Sequence, residues 1–576
     1  MARGTLGERL LEAATRFRSE GVGERGGRDP VADLYADRRG AYSLFSLQLG
    51  DAECEALRPY LFGRPIPRKA GDPPVICLNL VDGEWRRPAE LTARPSLADR
   101  RVTLFELARS RERDCTLAVD RAHAFWSSLE WAGEGLAYRK HVLKNVSRLL
   151  QYFYEECLDE LRQQTPKTRL EADKDFWEAK RAIDHLEGNA EKAMMGELVP
   201  TMIAGQSYWK NAFMPAGVCT VITPMNFIYG IPGIQIAACY LSGSPLIFKG
   251  HPLSAITSTT LIKMLVAAGA DPRAVHKVEG FGGDITPLVA DPRVAVVSVT
   301  GSAETAKAIQ AARGVRPVKF EGGGCNWSWI DDGFSDDELR RIATRLAYSK
   351  LGLGSHKCTT LHGVAASAGT LDRFEPMVIA EMKSWKAADP RGAAATETKI
   401  VSPLMVHKAA TVSSIQEAAR AAGVPVLLEG GRVTGGYADH AEVAAPVVLG
   451  RVTPATRVVV DWDGREKEIA LATTEFFMPI LVTMEVTGIE AFVRFCLEVN
   501  PHDLATSLWT RDDAKLSLAR RTLAGMLKEN DGTDSALEWE EFGASGVGES
   551  GNTGVGDAEA TIGMFCRRQK GRHFVL

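Results

Sequence analysis

The sequence predicts an α/β protein built on parallel sheets, and three observations carry that expectation. The chain has 576 residues, too many for one ordinary core, so more than one domain is required. From Ala216 to Val299, apolar runs of about five residues alternate with longer helix-compatible segments, the pattern of βαβ units. Between Asn211 and Phe248 there is no charged residue, yet Pro215, Pro224, Pro232 and Pro245 divide the stretch into pieces shorter than the roughly 20 residues a membrane span needs. Such a stretch is read as parallel strands buried on both faces, so no membrane partner is expected.

Composition narrows the partners. The chain is 45% hydrophobic and 25% charged, with 69 basic and 73 acidic residues and a net charge of −4. No basic footprint for nucleic acid is visible, and the expected partner is a small molecule. Ten cysteines are scattered without C-x-x-C spacing, and the opening Met-Ala-Arg-Gly-Thr-Leu-Gly-Glu lacks an apolar core, so reduced thiols and a cytoplasmic location are expected. No pair of histidines or cysteines has ligand spacing, so no metal site is expected.

Taken in order, residues 1–115 form an N-terminal extension of amphipathic pieces and loop signals, including Gly21 to Pro30 and Arg64 to Pro74, with no assignable chemistry. The mixed-charge run Arg109 to Asp114 reads as a solvated helix face. Apolar spacing from Ala118 to Leu161 predicts a pair of amphipathic helices broken at Gly133-Glu-Gly135, and a third helix covers Leu170 to Ala193. Strands follow at 216–223, 245–249, 274–278 and 294–299, which places residues 116–321 in one sheet domain. Helices at 339–350, 371–385 and 409–422, with strands at 424–428 and 457–460, assign 322–525 to a second α/β domain. Residues 526–576 form a C-terminal loop and arm. Gly546-Val-Gly-Glu-Ser-Gly551 matches G-x-G-x-x-G but lacks the strand and helix that give the pattern meaning, so it reads as a flexible loop.

Chemistry concentrates in six short motifs. Cys358 lies in Gly352-Leu-Gly-Ser-His-Lys-Cys-Thr-Thr-Leu-His362, where a helix N-terminus would favour the thiolate, although a lone cysteine is more often a core residue. Glu321 follows the strand at 317–320 and precedes three glycines that let a carboxylate move. Thr223-Pro-Met-Asn226, Phe248-Lys249 and Thr300-Gly-Ser302 fall at the carboxyl ends of strands, where parallel sheets bind ligands. Glu475-Phe-Phe-Met-Pro479 pairs an acid with aromatic rings. Cys325 reads as structural, and His356 would not share a helix face with Cys358.

In this order the motifs resemble the aldehyde dehydrogenase superfamily, in its longer form similar to 1-pyrroline-5-carboxylate dehydrogenases and phenylacetate-pathway members. The resemblance implies a dinucleotide-binding domain, a catalytic domain and a small oligomerisation arm. It makes Cys358 the nucleophile, Asn226 the oxyanion donor alongside the cysteine's own N–H, and Glu321 the general base. Coenzyme contacts fall to Thr223, Pro224, Lys249, Thr300, Gly301, Ser302, Gly323, Glu475 and Phe477. Pro252 stands where many members carry a glutamate, which leaves both NAD and NADP as expected cofactors. The implied reaction is oxidation of an aldehyde to a carboxylic acid; transfer to coenzyme A and a catalytically silent scaffold are the alternatives. A homodimer or homotetramer is implied, with residues 194–214 as its hairpin and the tail ending His573-Phe-Val-Leu576 pairing with another subunit. The chain departs from the family pattern at Met225, Ile228, Ala306 and Met478.

Overall fold

Two sheets organise the computed structural model, which describes residues 5–36, 48–133, 135–200, 202, 206–210, 212–392, 397–536, 539–568 and 572–574. The first has eight strands in the order Gly27–Arg28, Glu84–Arg86, Asn79–Val81, Val275–Lys277, Leu246–Lys249, Val218–Ile222, Val294–Thr300, Val318–Glu321. From Val275–Lys277 onward neighbouring strands run parallel. Val218–Ile222 and Leu246–Lys249 are buried at every position, as are nearly all residues of the helices that follow them, Gly230–Ser242 and Ala255–Ala267. The uncharged stretch is therefore sheet core, and among the described residues no helix is long and apolar enough to cross a membrane.

The first hundred residues complete this sheet. Asp82 and Gly83, both at positive φ (54° and 70°), make the two-residue turn that matches strand twist, and they fold Asn79–Val81 and Glu84–Arg86 into a hairpin. That hairpin adds antiparallel to Val275–Lys277 through Leu80 and Lys277. Leu10, Phe17, Leu57, Tyr60 and Trp85 share one apolar cluster with Phe248 and Ile262, so residues before 115 belong to the core of the first sheet.

Two helix expectations change. The run from 118 to 161 gives three helices, Glu112–Ser127, Leu136–Tyr152 and Tyr154–Gln164, because the backbone leaves helical geometry at Phe153 (φ −101°, ψ 29°). Phe153 is buried, its ring 5.0 Å from that of Phe62, so apolar spacing continues through the break and hides it. The run from Arg109 to Asp114 is a strand-to-helix joint: Arg109 donates to Asp284 and Glu90, and the helix starts only at Glu112. The third expected helix spans Arg169–Met194.

The second sheet has seven strands, in the order Val426–Leu428, Val447–Leu449, Ile480–Glu485, Leu361–Ala366, Asn326–Ile330, Ala505–Trp509, Met526–Glu529. All neighbours are parallel except the first pair. The chain passes between sheets at 322–325, directly after Glu321. A third, three-stranded sheet joins Glu197–Pro200, Gln206–Lys210 and Arg572–Phe574. Here the tail pairs within its own chain, Arg572 opposite Tyr208 and Phe574 opposite Gln206, and among the described residues leaves its other edge open. Val575 and Leu576, and residues 201, 203–205 and 211 of the 194–214 segment, lie outside the described residues.

Candidate active site

The chain turns to opposite sides of the first sheet after Val218–Ile222, since Leu246–Lys249 pairs on one flank and Val294–Thr300 on the other. A crevice opens at such a switch point, beyond the strands' carboxyl ends. Thr223, Lys249, Thr300 and Glu321 all sit on that rim. Lys249 is 5% exposed, and burial lowers its ammonium to about 8 against the pull of Glu279 and Asp284. The buried Thr223 hydroxyl and one carboxyl oxygen of Glu321 have no hydrogen-bond partner among the described residues. With no cation to offset burial, Glu321 is raised to about 8.

Scaffold contacts engage part of the Thr300-Gly-Ser motif. The Thr300 hydroxyl accepts from Gln235 Nε2 at 2.7 Å, and the Gly301 N–H donates to the Glu321 carbonyl at 3.0 Å. Ser302 caps the helix Ala303–Arg313, accepting from the Thr305 N–H at 3.3 Å. The first-turn N–H groups of that helix, rather than Gly301, are then the element suited to an anion.

The cysteine arrives from the second sheet by a different route. After the helix Asp336–Leu351, residues Leu353, Gly354 and Ser355 all take positive φ (58°, 59° and 70°). For a non-glycine this costs on the order of 1–3 kcal/mol and persists only where surroundings impose it. They do: the Leu353 N–H donates to Glu171 at 2.6 Å, Ser355 Oγ donates to the Lys350 carbonyl at 2.7 Å, and His356 Nδ1 bonds the Leu353 carbonyl at 2.9 Å. Cys358 lies in the turn that leads into the strand Leu361–Ala366. The expected helix N-terminus is absent, because the glycine-serine run makes a left-handed turn and Thr359-Thr360 lead into the strand that begins at Leu361. Without that dipole, burial and the charges of Glu321, Glu475 and Glu178 push the Cys358 thiol up to about 12.

The loop around the thiol is tied down on every side. Asn326 Nδ2 donates to the Cys358 carbonyl at 2.8 Å and to the Thr360 carbonyl at 2.9 Å. Thr533 Oγ1 donates to the Thr359 carbonyl at 2.7 Å, and Lys357 is paired with Asp534. His356 accepts the Met405 N–H on Nε2 at 3.2 Å, so both ring nitrogens are engaged by backbone. Burial lowers that imidazole to about 3, and it is no base for the thiol.

Asn226 joins the two walls, its Nδ2 donating to the His356 carbonyl at 2.9 Å. Its own carbonyl accepts from Lys167, which is ion-paired with Asp175, both fully buried. Asp175 in turn accepts the N–H groups of Ile228, Tyr229 and Gly230, capping the helix Gly230–Ser242 from a neighbouring helix. Glu475 accepts the Gly324 N–H at 3.2 Å, and a Cβ at Gly323 would overlap its carboxyl group. Burial raises Glu475 to about 7. Phe477 takes positive φ (52°) and sets its ring edge-on to His356, centroids 5.2 Å apart. The cleft thus gathers Cys358, Glu321, Asn226, Gly323, Glu475 and Phe477, with Thr223, Pro224, Lys249 and Thr300 to Ser302 along the rim.

Residues 95–569 match the aldehyde dehydrogenase family model. The chain belongs to this family. It is 24% identical over 430 residues to a sulfoacetaldehyde dehydrogenase of Neptuniibacter caesariensis, covering 72% of this chain and 86% of that one. A betaine aldehyde dehydrogenase of Cereibacter sphaeroides is 28% identical over 403 residues, covering 68% and 76%. Among solved structures, a putative methylmalonate-semialdehyde dehydrogenase from Sinorhizobium meliloti, complexed with NAD, superposes with a TM-score of 0.77 at 19% identity, covering 88% of this chain and 99% of that one.

Departures from the aldehyde dehydrogenase pattern take their places in the fold. Ile228 is fully buried in the first core. Ala306 packs with Ile309 and Val318 under the sheet, so its methyl group meets apolar side chains. Met478 is fully buried, and the left-handed turn falls on Phe477 instead. The 546–551 segment is a loop, as read, but its end is docked: Gly551 bridges Glu321, and the Gly322 N–H donates to the Ser550 carbonyl at 2.7 Å.

Sequence reasoning missed Glu171, Asp175, Lys167 and Asn326. One signal was available. Glu171 and Asp175, four residues apart, interrupt the buried face Ala172, Phe176, Ala179 of Arg169–Met194, and acids on an apolar face need partners elsewhere.

Proposed function

We propose that the chain oxidises an aldehyde to its carboxylic acid with NAD or NADP, through a covalent adduct on Cys358 that water then releases. The carrying observation is Glu321, a buried carboxyl with an unpartnered oxygen, close enough to Cys358 for its charge to raise the thiol.

The rim suits a nicotinamide dinucleotide. Lys249 and the orphaned Thr223 hydroxyl would hold ribose or phosphate oxygens, the first turn of Ala303–Arg313 the pyrophosphate, and Glu475 with Phe477 the nicotinamide end. When bound there, the coenzyme supplies the hydride acceptor. Because Pro252 contributes no carboxylate to repel a 2′-phosphate, both forms bind, NAD with moderate preference.

At rest the thiol keeps its proton, so attack on the aldehyde carbon requires a base as the C–S bond forms. Solvent water takes that proton. The Cys358 N–H and the second amide proton of Asn226, the first being engaged by His356, stabilise the oxyanion; one such donor is worth about 3 kcal/mol. Once the adduct has given up its hydride, which bound coenzyme would accept, it is a thioester; Glu321 then deprotonates the water that cleaves it, and the acid leaves as the Cys358 sulfur regains a proton. The same reading extends to assembly: Arg572–Phe574 is an edge strand of its small sheet, suited to pairing in a homodimer or homotetramer. Deleting residues 572–576 should lower the sedimentation coefficient, and an unchanged profile would contradict this.

The test mixes the full chain with NAD or NADP and a panel of aldehydes, with and without coenzyme A, and follows reduced nicotinamide and product. Acid formation without coenzyme A is expected. Turnover only with coenzyme A would overturn hydrolysis, and no turnover with any aldehyde would favour a silent scaffold.

A further inference from the structure

A cavity of about 370 Å³ lies away from the Cys358 cleft, enclosed by the helices Leu6–Ser19, Asp51–Phe62 and Ala255–Ala267 and by the proline-rich segment after Arg64. Its size is that of a small-ligand site, typically about 300–1,000 Å³. None of the residues assigned above to the cleft lines it. Its outer wall comes from residues 17–76, ahead of the family-matched span 95–569.

Much of the lining is apolar, including Pro65, Ile66, Pro73, Pro74 and Ile256. Cations also line it. Lys263 Nζ donates to the Tyr60 carbonyl at 2.9 Å, one of the three bonds an ammonium can make, and stands 4.6, 5.1 and 5.7 Å from the ring centroids of Phe17, Tyr60 and Trp85. Arg18 lines the same cavity, is exposed, and has no carboxylate partner among the described residues. The two acids that line the cavity are answered already. Glu24 pairs with Arg64, while Glu160 accepts from Thr260 Oγ1 at 2.9 Å and Tyr229 Oη at 3.0 Å. Burial raises Glu160 to about 7, so it opposes the cations weakly near neutral pH. Asp29, which also faces Lys263, has Oδ2 taken by Tyr60 and Trp85 and Oδ1 by the N–H groups of Val31 and Ala32.

We propose that this cavity is a second binding site, for a carboxylate with an aliphatic tail: the headgroup reaches Lys263 and Arg18, and the tail lies along the prolines. Two cations with no unengaged carboxylate select a small anion, and the apolar walls select against one fully hydrated. The floor touches the cleft indirectly, because Glu160 holds the Tyr229 hydroxyl three residues beyond Asn226.

The test is calorimetric titration of the full chain with octanoate, in the presence of saturating NAD to occupy the other cleft. Saturable one-to-one binding is expected. Octanol, and octanoate on Lys263→Met, should bind about tenfold or more weakly, since a bond to a charged group is lost. Arg18→Gln, exposed and safe for folding, should weaken binding severalfold, and it decides the matter if Lys263→Met does not fold. Absence of saturable binding, equal binding of octanol, or Arg18→Gln binding like the parent would overturn the proposal.

Discussion

The two walls of the cleft are built on opposite plans. On the first sheet, the carboxyl ends of parallel strands present polar groups without partners among the described residues, namely the Thr223 hydroxyl and an oxygen of Glu321, with the Lys249 ammonium, lowered to about 8, beside them. On the second, the Cys358 loop is saturated: both nitrogens of His356, the amide of Asn326, the Thr533 hydroxyl and the Lys357–Asp534 pair are all engaged. A wall with unmet donors and acceptors is made to receive a ligand. A loop whose own groups are engaged in this way keeps one atom still. The strain at Leu353 and Ser355 belongs to the second plan, and it is retained because Glu171, Lys350 and His356 hold the turn.

The largest effect that separates the walls is expected from Cys358→Ala. Aldehyde oxidation should fall by at least about 10,000-fold, while coenzyme affinity by fluorescence titration changes less than about twofold. Comparable losses of both would show that the walls do not act separately. Asp175→Ala tests the joint between them. It strands the Lys167 ammonium in the interior and frees three N–H groups, so about 3–5 kcal/mol of stability should be lost in denaturant melts. A loss under about 1 kcal/mol would mean that water reaches the site and the buried pair is no anchor.

The smallest effect is the pH dependence. Glu321, raised to about 8 by burial, is protonated below that value and cannot serve as a base. The steady rate should therefore climb as pH rises through about 8, by roughly tenfold from pH 7 to 9, instead of levelling off above an ordinary carboxylate value near 4.5. A flat profile across that window would place the proton acceptor elsewhere.

Much of this was legible in the sequence where a single physical rule dominates. Parallel strands covered on both faces must be apolar throughout, so Val218–Ile222 and Leu246–Lys249 announced themselves, and ligand-bearing residues had to follow them. Features set by tertiary partners were not legible. Gly352 to Ser355 carries the residues of a helix start, and one of the groups that hold it left-handed is Glu171, some 180 residues earlier. The Asp82-Gly83 turn is a local hairpin signal, yet its strands are three residues each and acquire meaning only beside Val275–Lys277. Phe153 ends a helix while keeping helical apolar spacing, so periodicity passes over it.

The central claim is that Cys358 carries the acyl group and Glu321 brings the water that removes it. Glu321→Gln, mixed with aldehyde and NAD and quenched within the first turnovers, tests it by intact-protein mass together with nicotinamide absorbance. The account predicts a burst of reduced nicotinamide close to one per site, an acyl adduct that maps to Cys358, and steady turnover lowered by about 100- to 10,000-fold. A variant that turns over at the parent rate, or one that shows neither burst nor adduct, would contradict it.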